Sequence, residues 1–144
     1  MINRTTKRTQ TWTAWTSNAH YLQKYIEIYR VPNTNQASTI TMYETIVKKL
    51  QHYKHNIIIG TDQNMDYIKI DKQQNTENLL GVFLSNGLIP TITKPTRITH
   101  STATLIDNIY ITTVNKTNIH SAIICLDISD HLPVLLLCVW GKKT

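Results

Sequence analysis

Apolar residues along the chain fall into short runs, some alternating and some at helical spacing, separated by polar turn-forming stretches. Between Tyr21 and Val31 the row Leu22, Tyr25, Ile26, Ile28, Tyr29 and Val31 is rich in strand formers and closes on Pro32-Asn33, which predicts a strand running into a turn. After a loop over 33–37, Ser38 is placed to cap a helix whose apolar positions Tyr43, Ile46, Val47 and Leu50 recur at i, i+3, i+4 and i+7. Lys48 and Lys49 suit the end of that helix, where its dipole favours cations, and the pattern runs out near Tyr53. Asn56-Ile57-Ile58-Ile59-Gly60 is an unbroken apolar run of the kind found in strands buried on both faces. Residues 66–75 are polar and predict a loop. Thr76 then caps a second helix with Leu79, Leu80, Phe83 and Leu84 inward and Gly87 as its stop. Short extended pieces follow at 88–92, 96–100, 104–112, 119–126 and 132–140. Strand, helix, strand, helix and then strands predict an α/β class built as a layered sandwich.

Composition limits what such a sandwich does. The 144 residues make one domain at most, and 41% hydrophobic content is that of a globular core. Fifteen Lys and Arg against nine Asp and Glu give a net charge of +6, which favours a polyanionic partner without establishing one. Cys125 and Cys138 both sit in apolar runs with no metal-ligand spacing around them, so they read as core residues of a reducing compartment. The apolar run Leu132 to Trp140 contains a proline and is too short to cross a bilayer, and Arg4, Lys7 and Arg8 lead into a polar stretch unlike a secretory signal. An intracellular, soluble protein, nuclear or cytoplasmic, is expected. Residues 1–20 are rich in threonine, carry Trp12 and Trp15 as their aromatic groups and read as a disordered leader, leaving 21–140 as the domain.

Two places carry chemistry. Asp107 stands in the middle of an apolar run and Ser129-Asp130-His131 ends another, so both acids must be buried or employed. An unpaired buried carboxylate is costly, whereas one beside a histidine orients the imidazole and stabilises its charged form, and pairing Asp107 with His131 satisfies both. Asp62 and Asn64 follow directly on the isoleucine-rich run, where a loop is exposed yet anchored by the core. Taken alone, such a pair is by default a turn former.

Tyr29-Arg30-Val31-Pro32-Asn33, Gly60-Thr61-Asp62-Gln63-Asn64, Leu105-Ile106-Asp107-Asn108-Ile109 and Ser129-Asp130-His131-Leu132-Pro133-Val134 come in the order and rough spacing of the endonuclease/exonuclease/phosphatase superfamily. The run from Lys94-Pro95-Thr96-Arg97-Ile98-Thr99-His100 through Asp107 resembles, more specifically, the apurinic-type endonuclease domain of LINE-type, non-LTR retrotransposons. That resemblance implies a magnesium-dependent phosphodiesterase, with manganese as the alternative ion, that nicks DNA and precedes a reverse transcriptase in the intact element. It implies that Asp62 orients and deprotonates the attacking water, that Asn64 positions this water or the phosphate, and that His131, held by Asp107, hydrogen-bonds the scissile phosphate. It further assigns Asp130 to the metal and water network, Tyr29 and Asn33 to the phosphate, and Arg97 and His100 to candidate DNA contacts.

The chain departs from that family in two ways. Thr61 separates Gly60 from Asp62, where the family has Gly-Asp-x-Asn, which suggests a loop longer by one residue. The family's early Asn and metal-binding Glu have no counterpart before Tyr21, and Glu27 is in the wrong place, so the chain reads as the C-terminal two-thirds of the domain. An inactive retroelement remnant and a phosphatase of the same superfamily are the alternative readings.

Overall fold

The Ile57-Ile58-Ile59 run forms the middle of the main sheet. The structure is a computed structural model and describes residues 9–10, 23–53, 56–112, 118–126 and 128–139. In chain order it contains β1 (Thr9–Gln10), β2 (Gln23–Tyr29), α1 (Gln36–Leu50), β3 (Asn56–Asp62), a 3-10 helix (Tyr67–Lys72), α2 (Gln74–Ser85), β4 (Leu88–Pro90), β5 (Arg97–Ile98), β6 (Ala103–Thr104), β7 (Asp107–Thr112), β8 (Asn118–Ile123) and β9 (Val134–Val139). The main sheet runs β1-β2-β3-β7-β4, while β5-β6 and β8-β9 are separate hairpins. Among the described strands only β2 and β3 are parallel, and α1 supplies the crossover that a parallel pair needs.

The core lies between one face of this sheet and the two helices. Ile26, Ile28, Ile57, Ile59 and Tyr110 from the sheet meet Tyr43 and Val47 of α1 and Leu79 and Phe83 of α2. Phe83 stacks on Tyr110 with ring centroids 3.7 Å apart and meets Tyr43 edge to face at 5.6 Å. Burial of these apolar surfaces is the main stabilising term, and it fixes which face of β3 and β7 turns to the helices.

Several boundaries differ from the sequence reading. Asn35, not Ser38, caps α1, accepting the Ser38 N–H at 3.0 Å through its side chain. Thr76 lies inside the first turn of α2 rather than capping it, and Leu84 is exposed. Most of the stretch expected as a loop is the 3-10 helix, held by buried Asp66, whose carboxylate accepts the N–H groups of Ile68 and Leu105. Gly87 does end α2, at φ 72°, a value that favours glycine. Cys125 is exposed and Cys138 half-buried, so neither is the core residue expected of it; both lie in or beside the β8-β9 hairpin, which packs with only one side against the sheet. Thr9 and Gln10 pair with β2, inside the stretch read as a disordered leader. The rest of that leader, with Trp12 and Trp15, lies outside the described residues.

Candidate active site

β3 does not stop at Gly60. It continues to Asp62, because Thr61 fits the sheet: its side chain is buried and its hydroxyl bonds the Gln63 side chain at 3.2 Å and the Asn108 carbonyl at 3.4 Å. The extra residue relative to Gly-Asp-x-Asn is therefore absorbed into the strand, not the loop. Register then does the positioning. Tyr29 pairs with Asp62 across the parallel ladder, and Asp62 pairs with Asp107 across the antiparallel one, so the three form a row at one end of the sheet.

His131 reaches the row because its segment is annexed to β5. The Ile98 N–H donates to the Asp130 carbonyl at 2.9 Å, and the Leu132 N–H donates to the Thr96 carbonyl at 2.7 Å. The ring Nδ1 lies 3.1 Å from Asp107 Oδ2 and 3.3 Å from Oδ1. An ionised carboxylate only accepts, so this contact places the proton on Nδ1 and leaves Nε2 free for a substrate. Asp107 is held in turn by buried Thr96, whose hydroxyl donates to Oδ2 at 2.7 Å and accepts the Asp107 N–H at 3.0 Å. The His131 side chain is 35% exposed and that of Asp107 14%, so the imidazole faces solvent while its support does not.

Ligand atoms of Asp62, Asp107 and His131 all lie within 4.8 Å of one another. Burial raises the Asp62 carboxyl above its ordinary range; the neighbouring Asp107 charge adds to this, and His131, the Asn64 backbone N–H and Arg97 oppose it. Asp62 Oδ1 is buried and has no hydrogen-bond partner. Two close carboxylates, one with an unsatisfied oxygen, suit a hard divalent cation, which takes oxygen ligands and offsets their repulsion. Among the described residues His131 is the third member of the group, with its Nδ1 engaged by Asp107.

The remaining expected residues are placed differently. The exposed carboxylate of Asp130 is bound by Arg97 Nε at 2.6 Å, which holds its pKa below the ordinary value, and it lies outside the converging group. Asn64 adopts a left-handed conformation, φ 48°, and its side-chain amide donates to the Arg30 carbonyl at 2.8 Å. Tyr29 is exposed beside Asp62, and Asn33, at φ 63°, is exposed in the turn after β2. Arg97 is engaged with Asp130, and His100 is exposed in the turn between β5 and β6. Sequence reasoning passed over Thr96 and Arg30. A threonine in a polar run carries no burial signal, and an arginine beside a turn reads as solvated.

From Asp62 and Asp107 a groove of about 840 Å³ runs between the sheet face opposite the helices and the β8-β9 hairpin, lined by residues including Tyr25, Ile58, Ile109, Leu132, Leu136 and Cys138. No helix among the described residues is long and apolar enough to cross a membrane.

A family model described as endonuclease-reverse transcriptase matches residues 24–135. Among solved structures the chain is similar to the endonuclease domain of TRAS1, a telomere-specific non-LTR retrotransposon, with TM-score 0.62 and 15% identity over 88% of this chain and 61% of that one. It is also similar to a mannosyl-6-phosphatase of Bacteroides thetaiotaomicron (TM-score 0.56, 14% identity, 85% and 53%) and to an endonuclease/exonuclease/phosphatase family protein of the same bacterium (0.57, 16%, 88% and 54%). At these identities the likeness shows the fold, and the chain spans 53–61% of the lengths of those structures. No curated protein matches the chain. The match over residues 24–135, together with the shared fold, shows that the chain belongs to the endonuclease-reverse transcriptase family of the endonuclease/exonuclease/phosphatase superfamily, a superfamily of hydrolases.

Proposed function

We propose that this site hydrolyses phosphodiester bonds of DNA, nicking one strand with the help of magnesium, or of manganese in its place, as the endonuclease part of a non-LTR retroelement whose partner is a reverse transcriptase. The observation that carries the reading is the 3.1 Å contact between His131 Nδ1 and Asp107 Oδ2, made beside Asp62 in the neighbouring strand. A phosphodiester needs a base for the attacking water and positive charge at its oxygens. Asp62, whose carboxyl pKa is raised by burial, is suited to take the water's proton. His131, with Nδ1 held by Asp107, would in its charged form donate Nε2–H to a phosphate oxygen. Asp62 and Asp107 would hold a divalent ion, whose chemistry there would be further positive charge at the phosphate oxygens. Tyr29, Asn33 and Asn64 flank the row as candidate phosphate contacts, Arg97 and His100 as candidate DNA contacts, and the net charge of +6 favours a polyanion.

The test is relaxation of supercoiled plasmid by the 144-residue chain in magnesium, manganese or EDTA, with Asp62→Ala and His131→Ala alongside. Open circles that need the ion and vanish in both variants support the reading. Among the described residues the converging group holds two carboxylates, which favours a second reading, an inactive retroelement fragment, and absence of nicking in either ion would support that instead. Release of phosphate from monoesters without nicking would point to a phosphatase, an alternative supported by the shared fold alone.

A further inference from the structure

The guanidinium of Arg30 is buried, with the residue 5% exposed, immediately beyond β2. Among the described residues no carboxylate pairs with it. Its charge is met by main-chain carbonyls instead: Nη2 donates to Thr34 at 2.7 Å and Nη1 to Asn64 at 3.1 Å. The Arg30 backbone N–H donates to the Asp62 carbonyl at 2.8 Å, and its own carbonyl accepts from Asn64 Nδ2 at 2.8 Å. Three of these four bonds tie Arg30 to the segment that begins at Asp62.

Asn33 and Asn64 are the two non-glycine residues with positive φ among the described residues, and Arg30 grips the turn that contains each. A left-handed conformation at a residue with a side chain persists only where its surroundings over-determine it. We propose that Arg30 is a positioning residue of the site: its guanidinium and carbonyl clamp Asn64, and its backbone N–H holds the Asp62 carbonyl, so that together they fix the end of β3 that carries the Asp62 carboxylate. This rests on the reading of Asp62 as the working carboxylate. It also changes the role of Asn64, whose side-chain amide is engaged by the Arg30 carbonyl and so mounts the segment after β3. Lysine cannot replace the clamp, because one ammonium point lacks the planar fork that reaches two carbonyls at once.

The test uses the 144-residue chain labelled with nitrogen-15, comparing the parent with Arg30→Met, Arg30→Lys and, as a control for lost stability, Val47→Ala in the helix core. Hydrogen exchange of the Asn64 side-chain amide is followed by NMR, and kcat and KM are measured for nicking. The expected result for Arg30→Met is amide exchange faster by about tenfold or more. Its kcat should fall about tenfold or more with little change in KM, the scale of a misplaced catalytic group. Val47→Ala should lower Tm while leaving exchange and kcat at parental values, and Arg30→Lys should fall between. Parental exchange and kcat in Arg30→Met would overturn the proposal; if that variant does not fold, parental exchange in Arg30→Lys overturns it. A parent chain that does not nick would defeat the catalytic reading, while the exchange comparison would still decide whether Arg30 mounts Asn64.

Discussion

Asp62 and Asp107 stand opposite each other in the antiparallel ladder between β3 and β7, and one of the two, Asp107, also receives the His131 ring. Partial burial and the Asp107 charge raise the Asp62 carboxyl above its ordinary 3.8. A folded-state pKa above the unfolded value means that the stability contributed by the protonated group is complete below the unfolded pKa and is lost as pH rises through the folded one. In EDTA, the Asp62 contribution should therefore make the chain less stable as pH climbs upward from 3.8 through that raised value. Asp62→Asn should raise Tm at neutral pH while abolishing nicking, and magnesium should raise the Tm of the parent more than that of the variant. Thermal unfolding at several pH values, with and without the ion, checks this; an unchanged or lower Tm in Asp62→Asn would contradict it.

Asp107→Asn keeps the shape of the side chain and removes its charge. The Thr96 hydroxyl and His131 Nδ1 would then share an amide, and the ring would lose the partner that fixes its tautomer. The nicking rate should fall by roughly a hundredfold or more, the scale of a misdirected acid or base. DNA affinity, measured in EDTA, should stay the same or increase, because a negative charge leaves the site.

The pairing of Asp107 with His131 was legible in the sequence because an acid inside an apolar run needs a partner, and a carboxylate beside a histidine orients the imidazole. The helices were legible through period: Tyr43, Val47 and Leu50 are buried as their spacing required, and Leu79 and Phe83 likewise. Leu84 misled because a leucine at helical spacing reads as inward wherever the helix has more apolar residues than its buried face can take. Asp62 was placed in a loop because Gly60 reads as a strand end, yet the ladder to Asp107 carries β3 two residues further. Asp130 was read by its place in a motif, and only the fold shows Arg97 within reach of it. Thr96 and Arg30 act through bonds to residues 11 and 34 positions away, which no local pattern reports.

Phe83 holds the helix layer onto the sheet, fully buried between the Tyr43 and Tyr110 rings. Phe83→Ala should cost about 3–5 kcal/mol, the range for emptying an aromatic site in a packed core. Urea unfolding measures it. Because the aromatic trio lies on the helix side of the sheet and Asp62 on the groove side, ion binding by the folded fraction should be unchanged.

Thr96 joins the site to its frame, and its hydroxyl should be separable from its shape. It donates to Asp107 Oδ2 and accepts the N–H groups of Asp107 and Ile106, while its main chain bonds Thr104 and Leu132. Thr96→Val keeps the branched side chain and every main-chain bond, so β5, β6 and the His131 segment should stay docked. Two backbone N–H groups lose their acceptor and Asp107 loses a donor. Leaving buried polar groups unpaired costs about 1–3 kcal/mol. Asp107 would then be positioned by its own strand and by His131 alone, so the nicking rate should fall, whereas Thr96→Ser, which restores the hydroxyl, should recover most of it. The pair of variants decides the matter: equal rates in the valine and serine variants would show that the hydroxyl does not position Asp107, and that Thr96 serves only to pack the hairpin.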